Sequence, residues 1–234
     1  MSLLILGFLG ALAQDVNSPL YVWERNHLNV PARSVVRAAA DGSFSVHMTF
    51  NPNGRSYSER TVMSSSTFTS DYTWDPEIRV LTTNQRSSVV GDSTRTDTHD
   101  AQGRLIVSVL ELVYRGSYSS STYTYAYDGN EQRSYREGVL TTITTTTVHA
   151  DGTRTVEYLN VAEGSRRVFH EVEPNRAREA IHYDSRGAIE RATRFEYTYD
   201  DRGNWVRQVS FPWVAALGRY SDNGEVSTRV IEYY

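Results

Sequence analysis

The stretch that decides the fold is Phe195-Glu196-Tyr197-Thr198-Tyr199-Asp200-Asp201-Arg202-Gly203-Asn204-Trp205, near the end of a chain of 234 residues. Its first half alternates aromatic and polar residues, which is the period of a β-strand with one aromatic and one solvated face. Its second half predicts a chain reversal, because an aspartate bonds its own backbone two residues on and Gly203 accepts the positive φ of a tight turn. Trp205, Val209 and Phe211 line one side of the segment that follows. The stretch therefore predicts an antiparallel hairpin.

The same turn signal, Asp or Asn with a nearby Gly, recurs along the chain at spacings that suit strands of about 6 to 10 residues. We find no amphipathic helical pattern of useful length, and residues 177–181 have room for one helical turn at most. The predicted fold is all-β, an antiparallel β-hairpin meander that forms a large twisted or curled open sheet. The glycines of the predicted structural turns are Gly42, Gly54, Gly103, Gly129, Gly152, Gly187, Gly203 and Gly224.

The segment from Phe195 to Trp205 resembles the RHS/YD-repeat family, whose core is Tyr-x-Tyr-Asp-x-x-Gly followed by Arg or Asn and an apolar residue. Residues 181–187, 98–105 and 123–129 resemble it more loosely, so the likeness covers the chain from about Asp97 to Tyr234. The resemblance implies a long β-meander, which in that family encloses a toxin or displays repeats that engage carbohydrate or other cells. This chain is far too short to enclose a passenger domain. We carry over the hairpin architecture and not the toxin role, since fold does not settle function.

The N-terminal residues predict export. Residues 1–13 read as a signal peptide, an apolar run that ends in Ala11-Leu12-Ala13, although no Lys or Arg precedes it. Residues 14–40 form an N-terminal segment of ambiguous structure, and residues 41–234 are assigned to a single β-hairpin repeat domain. The apolar run is too short to cross a bilayer as a helix, which needs about 20 residues. We expect no membrane span and a periplasmic or secreted location.

Composition excludes several classes of function. The 24 basic and 28 acidic residues are spread along the chain, which argues against nucleic acid as a partner. The sequence contains no lysine, so arginine supplies all of the fixed positive charge. It contains no cysteine either, which excludes disulfides, thiolate metal sites and an acylated cysteine anchor.

The sequence points to no catalytic residue, metal site or cofactor. Its histidines are His27, His47, His99, His149, His170 and His182. Residues 170–174 begin like a zinc-protease motif, but Pro174 stands where the second histidine is needed. In a strand Glu171 and Glu173 share a face, and we expect them to meet arginines across the ladder. The candidate partners are Arg166, Arg167, Arg176 and Arg178.

Aromatic columns are the most suggestive binding feature. Stacked hairpins bring tyrosines of neighbouring strands together, either as a core or as platforms for sugars or a partner. The candidate binding residues are Tyr123, Tyr125, Tyr127, Tyr197 and Tyr199. We expect an exported, non-catalytic protein that presents a sheet surface to an unknown partner, either carbohydrate or an envelope protein. Two alternatives stay open: an envelope enzyme acting on glycans, and a structural remnant of a larger RHS toxin system.

An open meander leaves edge strands exposed to aggregation. The last predicted strand carries Glu225, Arg229 and Glu232, and we expect these charges to protect it as an edge.

Overall fold

The structure is a computed structural model, and it describes residues 28, 31–87, 89, 91–173 and 176–234. The predicted signal peptide, 1–13, lies outside the described residues, as does most of the segment 14–40. The first strand nevertheless begins at Ala32, so the sheet starts before residue 41.

The described chain is built almost entirely of β-strands. A single turn of 3-10 helix, Ala215–Leu217, interrupts them near the C-terminus. The strands are β1 Ala32–Ala39, β2 Phe44–Phe50, β3 Ser56–Met63, β4 Ser66–Asp75, β5 Val80–Ser87, β6 Asp92–His99, β7 Leu105–Tyr114, β8 Ser117–Asp128, β9 Glu131–Arg136, β10 Val139–Val148, β11 Arg154–Asn160, β12 Arg166–Glu173, β13 Arg176–Tyr183, β14 Ile189–Tyr199, β15 Trp205–Val214, β16 Arg219–Tyr220 and β17 Glu225–Tyr233.

The strands form one closed antiparallel barrel. Each strand pairs with its neighbour along the chain, and β16 is a short hairpin partner of β15, so β17 pairs with β15. The ring closes where β1 pairs with β17, with Val35 opposite Ile231 and Arg37 opposite Arg229. The barrel thus has sixteen strands, β1 to β15 and β17. The predicted hairpin meander is confirmed, and the predicted open sheet is wrong.

Closure also overturns the expected edge strand. The final strand, β17, is hydrogen-bonded on both sides, to β1 and to β15. Arg229 does not point to solvent as an edge charge but is buried, with 6% of its surface exposed. A closed barrel has no free edge that needs protection.

The turns follow from the Asp-x-x-Gly pattern. In the turn after β6, the Gly103 N–H donates to the Asp100 carbonyl, and the Asp100 carboxylate accepts from the N–H groups of Gln102 and Arg104. The turns that begin at Asp184 and Asp200 repeat this arrangement. Of the predicted turn glycines, all but Gly224 have a positive φ.

Gly224 is required for a different reason. A Cβ atom built on it lies 2.3 Å from Cγ1 of Val209 and 2.9 Å from the Phe211 ring. The chain between Val214 and Gly224 therefore folds closely against the strand β15 that it leaves.

Side chains that converge identify the inner face of the barrel. The Arg37 guanidinium on β1 lies 5.3 Å from the Trp205 ring on β15, across the intervening strand β17. The Trp74 and His99 rings, on β4 and β6, are 5.5 Å apart across β5. Side chains two strands apart meet only on the concave side, so these residues face the lumen. Strand alternation assigns the remaining positions.

A hydrophobic cluster fills the lumen at one end. That end, which we call the lower rim, carries the turns at 51–55, 76–79, 100–104, 149–153 and 200–204, and the opposite end is the upper rim. The tyrosine rings of Tyr57 and Tyr72 stack there with centroids 4.1 Å apart. The buried members of the cluster are Leu28, Ala32, Val35, Phe50, Tyr57, Trp74 and Leu81.

Two local predictions also differ from the structure. Residues 177–181, considered for a helical turn, belong to strand β13. The run from Leu105 to Leu110 is apolar at every position but Ser108, a pattern that predicts a strand covered on both faces, but its outward residues Val107 and Val109 are only half-buried. Among the described residues, no helix is long and apolar enough to cross a membrane.

Candidate functional site: the barrel lumen

The five tyrosines proposed as binding residues all face the lumen. Tyr127 donates its hydroxyl proton to the Leu105 carbonyl at 2.8 Å and accepts a hydrogen bond from Gln132 at 3.0 Å. Tyr197 does the same with the Ala177 carbonyl at 2.9 Å and Gln208 at 3.1 Å. These two hydroxyls hold neighbouring strands together and are already occupied.

The other three tyrosines are less constrained. The Arg136 guanidinium lies 5.8 Å from the Tyr123 ring centroid, and Arg176 lies 5.1 Å from the Tyr199 ring centroid. Tyr125 lines a small pocket in the lumen wall. The tyrosine columns therefore form walls of the lumen, half-buried at Tyr123, Tyr125, Tyr127 and Tyr197 and exposed at Tyr199.

A pocket opens from the lumen between β7 and β11. The aromatic rings that line it belong to Tyr125 and Tyr158, and burial raises the pKa of each hydroxyl to about 12. Both hydroxyls therefore stay protonated at neutral pH and can donate or accept hydrogen bonds. The remaining lining residues are Leu105, Gln132, Ser134, Thr142 and Thr144. The pocket itself has a volume of about 50 Å³, against about 300–1,000 Å³ for a typical small-molecule site, so a larger ligand has to extend into the open lumen.

Strand β10, whose residues 141–147 are threonine at every position but Ile143, supplies part of this pocket. Of its threonines, Thr142 and Thr144 face the lumen and Thr145 faces outward, as the pairing with β9 and β11 requires. The run is thus an ordinary strand of alternating faces with high β propensity.

A row of basic side chains adjoins the pocket. Arg167 on β12 pairs directly with His182 on β13, which pairs directly with Arg191 on β14. Arg191 Nη2 lies 3.2 Å from His182 Nδ1. Burial, together with the positive charges of Arg191 and Arg167, lowers the pKa of His182 to about 4. At neutral pH the row is two guanidinium cations with a neutral imidazole between them.

A second basic group surrounds Trp205 nearer the lower rim. The Arg229 guanidinium lies 4.4 Å from the Trp205 ring centroid and Arg37 lies 5.3 Å from it. Arg37 also donates to the Gln208 side chain at 3.2 Å. Burial lowers the pKa of Arg229 to about 10, and the neighbouring charges of Arg37 and Arg176 act in the same direction.

Positive charge outweighs negative charge at the strand positions that face the lumen. Two of the inward carboxylates are ion-paired: Asp97 with Arg95 at 2.8 Å and Glu171 with Arg154 at 2.6 Å. The inward arginines include Arg37, Arg95, Arg136, Arg154, Arg167, Arg176, Arg191 and Arg229, and the inward carboxylates with described side chains are Glu59, Asp97, Glu171 and Glu225.

The outer face of the barrel is polar around much of its circumference. Strands β2 to β6 present mainly Ser, Thr, Asn and charged residues outward. At the seam, Val36 on β1 and Val230 on β17 also point outward. Apolar residues concentrate on β7 and on β10 to β15, where charges are interspersed among them. Outward charges within the strands include Arg60, Asp71, Arg133, Glu157, Arg194, Glu196 and Arg207.

The histidines and carboxylates that sequence reasoning considered for chemistry are dispersed. His99 packs edge-on against Trp74 in the lumen, whereas His170 lies outside, with Nε2 3.7 Å from a Glu179 carboxylate oxygen. Glu171 forms an ion pair with Arg154 on the neighbouring strand β11, an arginine that was not among the partners expected from the sequence. Among the described residues, no group of three or more His, Asp or Glu side chains could hold a metal ion.

Sequence reasoning missed the basic row. Its three members lie on separate strands, and they become neighbours only through the registers of two strand pairs, both of which contain register shifts. The available signal was the restriction of all fixed positive charge to arginine, which favours planar, bidentate recognition of anions.

Comparison with known proteins shows the fold alone. No family model and no curated protein matches the sequence. Among solved structures, the chain is similar to a porin-like protein from Bacteroides uniformis, with a TM-score of 0.58 and 12% sequence identity. The match covers 87% of this chain and 98% of that protein.

Proposed function

We propose that this protein is an exported, non-catalytic β-barrel that works in an aqueous compartment of the cell envelope and binds a glycan in its lumen. The proposal depends on one observation, the difference between the side chains on the outer face of the barrel and those on its inner face. Exposed charges lie among the outward side chains, and the five candidate tyrosines line the inside together with more arginines than carboxylates.

The outer face argues for water and against lipid. An arginine or lysine on the lipid side of a membrane barrel costs about 2–4 kcal/mol at the bilayer midplane. Arg60, Arg133 and Arg194 all lie on the outer face within their strands and are exposed. A continuous apolar band of the kind that surrounds membrane barrels does not form over β2 to β6, the polar part of the described wall.

The lumen supports ligand binding without catalysis. Of its four inward carboxylates with described side chains, Asp97 and Glu171 are each ion-paired with an arginine, and Glu59 and Glu225 lie on β3 and β17, which β1 and β2 separate. A glycan-acting enzyme needs two carboxyl groups that flank the bond to be cleaved. The tyrosine and hydroxyl groups of the pocket suit the apolar faces and hydroxyl edges of a sugar.

The competing function is that of an outer-membrane barrel. It is favoured by the fold likeness to a porin-like protein, since barrels of 16 to 18 strands leave an aqueous channel. The relation to RHS/YD repeats remains a proposal at the level of the hairpin, supported by the shared Asp-x-x-Gly turns.

Cell fractionation distinguishes the two functions. We expect the full chain, produced in a Gram-negative host, to appear in the osmotic-shock or culture fluid and to stay monodisperse in size-exclusion chromatography without detergent. Recovery only from the membrane pellet, with detergent needed for release, would contradict the proposal and favour the outer-membrane barrel.

A further inference from the structure

The row formed by Arg167, His182 and Arg191 places two cations on one wall of the lumen. Arg167 and Arg191 lie two strands apart, about 10 Å, with the neutral His182 imidazole between them. Within the described part of the chain, neither Arg167 nor Arg191 forms an ion pair with a carboxylate. Two guanidinium groups that face the lumen without a carboxylate partner in that part of the chain form a candidate anion site.

The row presents donors suited to an oxyanion. Each guanidinium offers a rigid fork of N–H groups that matches a carboxylate or sulfate in bidentate geometry. Arg191 lies within hydrogen-bond distance of Nδ1 of His182, which leaves the Nε2 side of the ring for a ligand. Both arginines are exposed, so a ligand in the lumen reaches them without displacing other side chains.

The basic row continues into the tyrosine pocket. Arg167 pairs directly with Tyr158, whose ring lines the pocket, and Tyr158 pairs directly with Thr144 on β10. Thr144 in turn pairs with Gln132 on β9. An aromatic site for a sugar ring and a cationic site for an anion thus lie side by side on one wall of the lumen.

We propose that Arg167 and Arg191 bind the carboxylate or sulfate group of an acidic glycan, with an adjacent sugar ring lying in the lumen over the mouth of the pocket that Tyr125 and Tyr158 line. The inference rests on the proposed function and names the class of glycan. The proposed site lies on the lumen wall formed by β8 to β14 and does not include the basic group around Trp205.

Calorimetric titration with a defined probe tests the inference. We expect oligogalacturonate, which carries one carboxylate per sugar, to bind about tenfold or more tightly than its methyl ester, because charge-assisted hydrogen bonds are the stronger kind. Binding should weaken as sodium chloride is raised, since salt screens exposed charges. A sulfated oligosaccharide in a parallel titration shows which oxyanion is preferred.

Paired variants on the two faces of the same strands supply the control. Arg167→Gln/Arg191→Gln should lose about tenfold or more of the oligogalacturonate affinity while melting close to the wild type, because both side chains are exposed. Arg166→Gln/Arg194→Gln, on the outer face of β12 and β14, should bind like the wild type.

The outcomes separate this inference from the proposed function. Equal binding of acid and ester, or equal losses in the inner and outer variants, would overturn the basic row as the anion site and leave a glycan-binding barrel standing. No binding of oligogalacturonate, its ester or the sulfated probe to detergent-free, monodisperse protein would overturn both the acidic-glycan site and glycan binding in the lumen. The aqueous location would then still be decided by fractionation.

Discussion

At the scale of single residues, the ion pair between Arg154 and Glu171 distinguishes the inner wall from the outer one. Arg154 Nη2 and Glu171 Oε2 are 2.6 Å apart, and their side chains are only 13% and 7% exposed. On the outer face of the same two strands, Arg166 and Glu157 are 3.6 Å apart with side chains 42% and 39% exposed. Burial should make the two pairs respond very differently to the loss of one partner.

We expect Glu171→Leu to lower the free energy of unfolding by about 3–5 kcal/mol, because it leaves Arg154 as an uncompensated charge away from water. The double variant Arg154→Met/Glu171→Leu should recover much of that loss. Glu157→Leu, the matched outer change, should cost less than about 1 kcal/mol. Urea unfolding followed by tryptophan fluorescence measures all three, and equal losses at Glu171 and Glu157 would contradict the assignment of inner and outer faces.

The contacts of single side chains were the part of the structure that the sequence predicted least well. That Glu171 meets an arginine across a ladder was foreseeable from the composition of β12 and its neighbours, but the partner was not. The pairing of β12 with β13 contains register shifts after His170 and Glu171. No sequence pattern predicts these shifts. A shift of one residue exchanges the faces of a strand, so side-chain partners depend on it.

At the scale of elements, the hairpins were the predictable part. The turns at Asp100, Asp184 and Asp200 form because the aspartate carboxylate accepts backbone N–H groups two and four residues on. This is local chemistry, and local chemistry is visible in a sequence. The turn at Gly91 carried no Asp or Asn before its glycine and was missed.

Gly91 is the turn glycine whose replacement should be most damaging. It has φ +86, and a Cβ there would lie 2.3 Å from the Val113 carbonyl oxygen. Gly116, in the next turn of the upper rim, has φ +79 but open space around it. We expect Gly116→Ala to cost about 1–2 kcal/mol for its left-handed backbone, and Gly91→Ala to cost clearly more. Urea midpoints compare the two, and equal shifts would show that the close approach to Val113 does not exist.

At the scale of the whole molecule, closure was not foreseeable. Alternation and turn chemistry specify strands and their sequential pairing, and these are the same in an open meander and in a barrel. Whether β1 meets β17 depends on the accumulated curvature of sixteen strands, a property that no single segment carries. The site in the lumen could not be predicted from the sequence for the same reason, because a sheet has inward and outward faces only once it has curled.

The seam between β1 and β17 can be tested directly, because the chain contains no cysteine. Val36 and Val230 are directly opposed across the seam and point outward, so a bridge between them does not cross the lumen. Opposed residues of an antiparallel pair have Cα atoms about 4.5–5.5 Å apart, which suits a disulfide. We expect Val36→Cys/Val230→Cys to oxidise to an internally cross-linked monomer that migrates faster on a non-reducing gel.

Oxidation should also raise the free energy of unfolding by about 4–5 kcal/mol, because the bridge closes a loop that spans most of the chain. Val36→Cys/Val139→Cys, which places the second thiol on β10, should stay reduced or cross-link only between molecules. An open sheet keeps residues 36 and 230 far apart, so absence of the internal bridge in oxidised, folded Val36→Cys/Val230→Cys protein would show that the barrel is not closed. The inner and outer faces, and with them the binding lumen, would then lose their basis.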